Sequence, residues 1–233
     1  MQMIFIFMNQ KILVKRVNKI KEEHSSENNS DIVDKKNDEK VITAVGESKY
    51  FCVGIVDIVN STKTVAKLLP NEVPKYYEIF LNNMAKTVIY HQGEILKIMG
   101  DSLLFYFPEN YHHDQKSVFL NAIECGFSMR EMHEELNQIL KRYSLPQIDF
   151  RISFDYGNLT IMKTKNELVD LVGPTINTCS KINNLASINS TVIGRDFYDK
   201  IKSFHQYRFQ IIGKFSIDSK QSYPIFSISK KNE

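Results

Sequence analysis

The stretch "GEILKIMGDSLLFYF", residues 93–107, holds two apolar, strand-like runs on either side of a Gly-Asp pair. Gly100 reaches positive φ without steric cost, so the pair reads as the bend of a tight hairpin. Lys97 stands four residues ahead of Asp101 in the same hairpin. Asp101 is a common kind of turn residue and Lys97 a common kind of solvated strand residue. The hairpin therefore takes its meaning from the segments around it.

Toward the N-terminus, "YFCVGIVDI" (50–58) is a continuous apolar run, the pattern of a buried strand that stops at Asp57 and Ile58. "NSTKTVAKLL" follows, with Asn60, Ser61 or Thr62 able to cap a short helix. From Glu72 to Gly93 the apolar residues Val73, Tyr76/Tyr77, Phe80, Met84 and Val88 have helical spacing, and Gly93 ends the run. Beyond the hairpin, a stripe of Val118, Ala122, Met129, Met132, Leu136 and Leu140 predicts one long helix over 115–143. "QIDFRISFDYGNLTIMK" (147–163) alternates like two strands joined near Gly157. The core order is β-α-β-β-α-β, the ferredoxin-like α+β arrangement, an antiparallel sheet with helices on one face. C-terminal additions follow: a helix over 175–186, the short strand "TVIG", the helix "RDFYDKIK" and a final strand pair.

The chain has 233 residues, 42% of them hydrophobic and 24% charged, enough apolar material for one domain with an extension. A net charge of +3 helps an anionic ligand approach without demanding nucleic acid or a membrane. Cys52, Cys125 and Cys179 are odd in number and far apart, the pattern of reduced core thiols in a cytoplasmic protein. The apolar start "MQMIFIFMNQ" is too short to span a bilayer, and it lacks the charge order of a signal peptide. Residues 15–40 are polar, charged and poor in aromatics, so 1–47 reads as a short segment plus flexible charged linker, and 48–230 as the folded domain.

In a ferredoxin-like sheet the first strand neighbours the hairpin, which brings Asp57 and Asp101 toward one end. Two carboxylates there suit a hard divalent cation such as Mg²⁺ or Mn²⁺. The helix that opens at Asn60, Ser61 and Thr62 offers free N–H groups to phosphate oxygens. Together these features outline a nucleoside triphosphate site. Each residue taken alone has an ordinary structural reading as a cap, a turn or a solvated position. The same β-α-β-β-α-β order also underlies RNA-recognition modules, but no strand carries their aromatic motif.

Four segments in order, "VGIVDIVNST" (53–62), "HQGEILKIMGDSLLFYF" (91–107), "FRISFDYGNL" (150–159) and "DLVGPTINTCSKI" (170–182), resemble the class III adenylate/guanylate (nucleotidyl) cyclase catalytic domain. The resemblance runs from about Lys49 to Ile228. It implies an adenylate cyclase, converting ATP to 3′,5′-cyclic AMP and pyrophosphate with two Mg²⁺ or Mn²⁺ ions per site. Asp57 and Asp101, with the Ile58 carbonyl, match the metal positions. Lys97 and Asp170 match the base-reading pair, lysine donating to adenine N1 and aspartate accepting from the N6 amino group. Guanine presents the opposite pattern, which opposes a guanylate cyclase. Asn177 matches the ribose-positioning asparagine, and Arg151 and Lys214 match basic residues at the triphosphate. The chain departs from the family at Lys181, where an arginine normally stabilises charge on the α-phosphate, and that exchange is not conservative. A slow cyclase and a nucleotide-binding or dimerisation module without turnover both follow from that departure. The family pattern also implies a head-to-tail homodimer, one subunit giving the metal aspartates and the other the base pair and the asparagine.

Overall fold

A computed structural model describes residues 42–44, 48–108, 115–164, 169–216 and 222–231. The apolar N-terminal segment and most of the charged leader lie outside the described residues. Strand β1, Ile42–Ala44, falls inside the stretch expected to be leader and pairs antiparallel with the far half of a long central strand.

The remaining elements follow in order: β2 (Lys49–Ile58), α1 (Ser61–Val65), α2 (Val73–Tyr90), β3 (Glu94–Met99), β4 (Ser102–Phe107), α3 (Gln115–Glu131), α4 (His133–Arg142), β5 (Phe150–Thr164), β6 (Val169–Val172), α5 (Pro174–Asn183), β7 (Thr191–Gly194), α6 (Arg195–Ile201), β8 (Tyr207–Ser216) and β9 (Ser222–Lys230). Among the described residues the strands join one sheet in the order β3-β4-β2-β5-β7-β9-β8, with β1 and β6 added along β5. The block β3-β4-β2-β5 is the ferredoxin-like order, each neighbour antiparallel. β7 runs parallel to β5, because α5 supplies the crossover.

β2 is buried along most of its length because both its faces are covered. On one face, Cys52, Val56 and Ile58 join Phe105, Phe107, Phe154, Phe80 and Phe197 in the main core under α2, α3 and α6. Phe154 lies edge-on to Phe105 and stacks on Phe197. Each such ring removed from water contributes roughly 2–3 kcal/mol. On the other face, Val53 and Ile55 pack with Leu104, Leu159, Ile161, Leu171 and Cys179 beneath α5. All three cysteines are buried and unpaired.

Two expectations need correction. The stretch 115–143 is two helices, α3 and α4, meeting at Met132, whose backbone stays near-helical at φ −73, ψ −11. Residues 150–164 form one strand, not two joined at Gly157. Gly157 serves close packing instead: a Cβ there would lie 2.3 Å from Thr175 Oγ1 on α5. Both end strands of the main sheet carry a bulge, β3 between Ile95 and Lys97 and β8 between Ile211 and Gly213. Among the described residues no helix is long and apolar enough to cross a membrane.

Candidate functional site

Register places the first cluster. Asp57, near the end of β2, lies opposite Ser102 on β4 and Arg151 on β5. Asp101 occupies the β3–β4 bend, after Gly100 at φ 65. Burial pushes the Asp57 carboxyl up to about 6, the nearby Asp101 charge adds to the rise, and the Arg151 guanidinium opposes it. Two carboxylates thus lie close enough to repel in a partly desolvated corner, with the Arg151 guanidinium as a counter-charge to Asp57. Arg151 Nε is buried and has no hydrogen-bond partner among the described residues. Ser61, the first residue of α1, is buried, and its hydroxyl donates to Asp101 Oδ2. Ile58 lies in the core, and the next residue is fixed by Val59 N–H donating to the Asp149 carbonyl at 2.8 Å. Asn60 turns the chain at φ 56 into α1, while its own side chain and that of Thr62 are exposed.

These groups fit a divalent cation. Carboxylate oxygens are hard ligands, and the mutual repulsion that raises Asp57 is what a bound cation would relieve. Among the described residues no group of three or more His, Cys, Asp or Glu is placed to hold a metal ion.

The second cluster joins residues 73 positions apart: Lys97 Nζ donates to Asp170 Oδ2 at 2.6 Å. The β3 bulge sits immediately before Lys97, and such an irregularity re-aims a side chain. β6 pairs with the far half of β5, opposite Met162, and so brings Asp170 across. Asp170 Oδ1 also accepts the Leu171 N–H at 2.9 Å. Both side chains are about 40% exposed and therefore reachable by a ligand.

α5 carries the third group. Its inner face buries Thr175, Cys179, Ile182 and Asn183, while Asn177 and Lys181, four residues apart, share the exposed face. Lys181 Nζ stands 5.8 Å from the centroid of Phe215 on β8. Lys214, the residue before Phe215, is exposed and pairs in register with Pro224. Asn183 had no place in the sequence reading, yet it anchors the helix. Its Nδ2 reaches the carbonyls of Ile55 and Arg151, each at 3.3 Å, and so ties α5 to the strands that hold Asp57 and Arg151. An asparagine on the buried face of the helix was the available signal. Ser153 Oγ adds a bond to the Cys179 carbonyl at 3.0 Å.

Comparison with known proteins gives this arrangement its context. Residues 45–230 match the model of the adenylate and guanylate cyclase catalytic domain. The chain is 25% identical over 179 residues to a cytidylate cyclase of Staphylococcus aureus, an alignment that covers 72% of this chain but only 42% of that protein. Among solved structures, the adenylyl cyclase CyaB of P. aeruginosa superposes with a TM-score of 0.71 at 19% identity, over 79% of this chain and 96% of that one. The guanylyl cyclase Cya2 does so with a TM-score of 0.68 at 22% identity, over 79% and 94%. The family match takes in almost all the described elements, and the chain belongs to the adenylate and guanylate cyclase catalytic domain family.

Proposed function

We propose that the protein is a nucleotidyl cyclase for a nucleoside triphosphate whose base carries an amino group beside a ring-nitrogen acceptor. The observation that carries this reading is the Lys97–Asp170 pair, a donor and an acceptor side by side and open to a ligand. Adenine offers N1 to the lysine and the N6 amino group to the aspartate, so ATP is the first reading. Guanine and uracil offer a ring N–H and a carbonyl, the reverse pattern, and would leave both side chains wrongly opposed. Cytosine presents N3 and its N4 amino group in the same geometry as adenine. The similarity to a cytidylate cyclase therefore favours CTP as a second reading.

At the other end of the substrate, Asp57, Asp101 and the Ile58 carbonyl would hold Mg²⁺ or Mn²⁺. The bound ions supply charge that acidifies the ribose 3′-hydroxyl and neutralises the phosphates. The 3′-oxygen forms a bond to the α-phosphorus, and the bond from that phosphorus to the bridging oxygen breaks. Pyrophosphate leaves with the electron pair, and the hydroxyl proton is released. Arg151, with an unpartnered Nε, is available to the triphosphate, as is Lys214. Asn177 orients the ribose, and Lys181 supplies positive charge at the α-phosphate from the same face of α5. Asn60 and Thr62 stand at the phosphate end. The metal cluster and the base pair complete each other across a head-to-tail homodimer. Three buried, unpaired thiols fit a reducing compartment, and we place the protein in the cytoplasm.

The test is incubation of the purified chain with Mn²⁺ and each of ATP, CTP, GTP and UTP, with products identified by mass and an Asp57→Ala control. Cyclic product from ATP or CTP, absent in the control, is expected, and direct competition between the two decides the substrate. Turnover of GTP or UTP in preference would overturn the base-reading assignment. Metal-dependent nucleotide binding without any product would make the protein a nucleotide-binding module.

A further inference from the structure

We infer that Ser61 is a positioning residue, which holds Asp101 in the orientation that the metal pair requires. This inference rests on the metal reading above.

Asp101 sits at the β3–β4 bend, directly after Gly100 at φ 65. A Cβ added at the neighbouring Gly100 would find no atom within 4 Å, so the turn is open on that side. A carboxylate in an open turn samples several rotamers, and a ligand that must first be ordered binds more weakly. Coulomb repulsion from Asp57 also disfavours the approach of the two carboxylates.

The Ser61 hydroxyl offsets both effects from a firmer base. Ser61 is 7% exposed. The start of α1 is fixed by the Asn60 carbonyl, which accepts the N–H groups of Lys63 and Thr64 at 3.1 Å each. The segment before it is held by the Val59–Asp149 backbone bond at 2.8 Å. From this support Ser61 donates to Oδ2 and leaves Oδ1 for the cation. A hydroxyl has a single proton to give, and here it goes to the carboxylate, not to a phosphate oxygen. Partners that orient a metal ligand in this way commonly cost about 10–100-fold in metal affinity when removed.

The experiment titrates the full chain with Mn²⁺ alone, read by electron paramagnetic resonance, for wild type, Ser61→Ala, Ser61→Cys, Ser61→Thr and Asp57→Ala. Ser61→Ala should weaken Mn²⁺ binding about tenfold. Ser61→Cys fills nearly the same volume with a poor donor and should also weaken it, and so tests the bond even where alanine disturbs folding. Ser61→Thr keeps the hydroxyl and should bind within about twofold of wild type. The nucleotide KM at saturating Mn²⁺ should not change in Ser61→Ala, which separates a metal-positioning role from a phosphate contact. Wild-type Mn²⁺ affinity in both Ser61→Ala and Ser61→Cys, or a defect confined to nucleotide KM, would overturn the inference. If Asp57→Ala also binds Mn²⁺ like wild type, the metal reading itself fails and the role of Ser61 falls with it.

Discussion

On the proposed reading, Lys181 presents a single ammonium on a flexible stem where an arginine would offer a planar fork of donors. Nothing in its surroundings restores that fork: the side chain is exposed, and its charge stands over the Phe215 ring. The charge is on the same face of α5 as Asn177, and the proposed role sets it at the α-phosphate. Replacing the lysine should therefore change the rate more than the affinity. We expect Lys181→Arg to raise kcat about tenfold with little change in KM, measured on whichever nucleotide the wild type cyclises. An unchanged kcat would mean that lysine already meets the demand. That Lys97 would meet Asp170, and Asp57 lie near Asp101, was legible at this scale because both pairings rest on residue types at matching positions. The hydroxyl-to-carboxylate bond from Ser61 was not, since a serine at a helix start suggests a cap and gives no hint of a partner 40 residues on.

At the scale of elements, β5, α6 and β9 converge on one buried carboxyl. Asp155 is 1% exposed and accepts the Tyr223 hydroxyl at 2.8 Å and the Tyr156 N–H at 2.9 Å. The Phe197 N–H at the start of α6 also bonds to it. Gly194 keeps the space open, because a Cβ there would lie 2.4 Å from Asp155 Oδ1. Burial raises this carboxyl from 3.8 to about 7, against the donors that favour its ionised form and with the help of the nearby Asp196 charge. The proton is therefore held more tightly in the folded state than in the unfolded one. The associated stability is fully present below pH 3.8 and is lost as pH rises through about 7. At about 1.4 kcal/mol per pH unit, the loss is on the order of 4 kcal/mol. Denaturant unfolding at pH 5 and pH 8 should show wild type losing more stability than Asp155→Asn, and equal losses would remove Asp155 as the cause. Periodicity made the buried run of β2 and the apolar stripe of α2 plain, but not β1 or β6. It left Gly157 ambiguous, because a glycine that turns and a glycine that admits a neighbour look alike until Thr175 is in place. It also hid Asp155, whose burial is decided by α6 and β9, elements more than 30 residues away along the chain.

For the whole molecule, the arrangement of half-sites makes a sharp demand. Lys97 meets Asp170 within one chain, and Asp57 meets Asp101 and Arg151 within that same chain. On the homodimer reading each active site takes one cluster from each subunit. Asp57→Ala and Asp170→Ala should both be inactive alone, yet co-expression should restore activity, since the mixed dimer contains one site with neither defect. With free exchange about half the dimers are mixed and each has one good site of two, so recovery should approach about one quarter of wild type. No recovery, in dimers shown to be mixed, would mean that each chain builds a complete site by itself.

The bulges at the two ends of the sheet bear on how copies of the chain can meet. A sheet this broad invites strand addition, since each outer strand has a row of N–H and C=O groups facing outward. Here Leu96 and Ile212 are the extra residues in β3 and β8, so neither outer row keeps a regular spacing. An incoming strand finds its hydrogen-bond rhythm broken on either side, although exposed Ile211 and Ile212 would otherwise reward contact. Growth of the sheet from one molecule into the next through β3 or β8 is thereby discouraged.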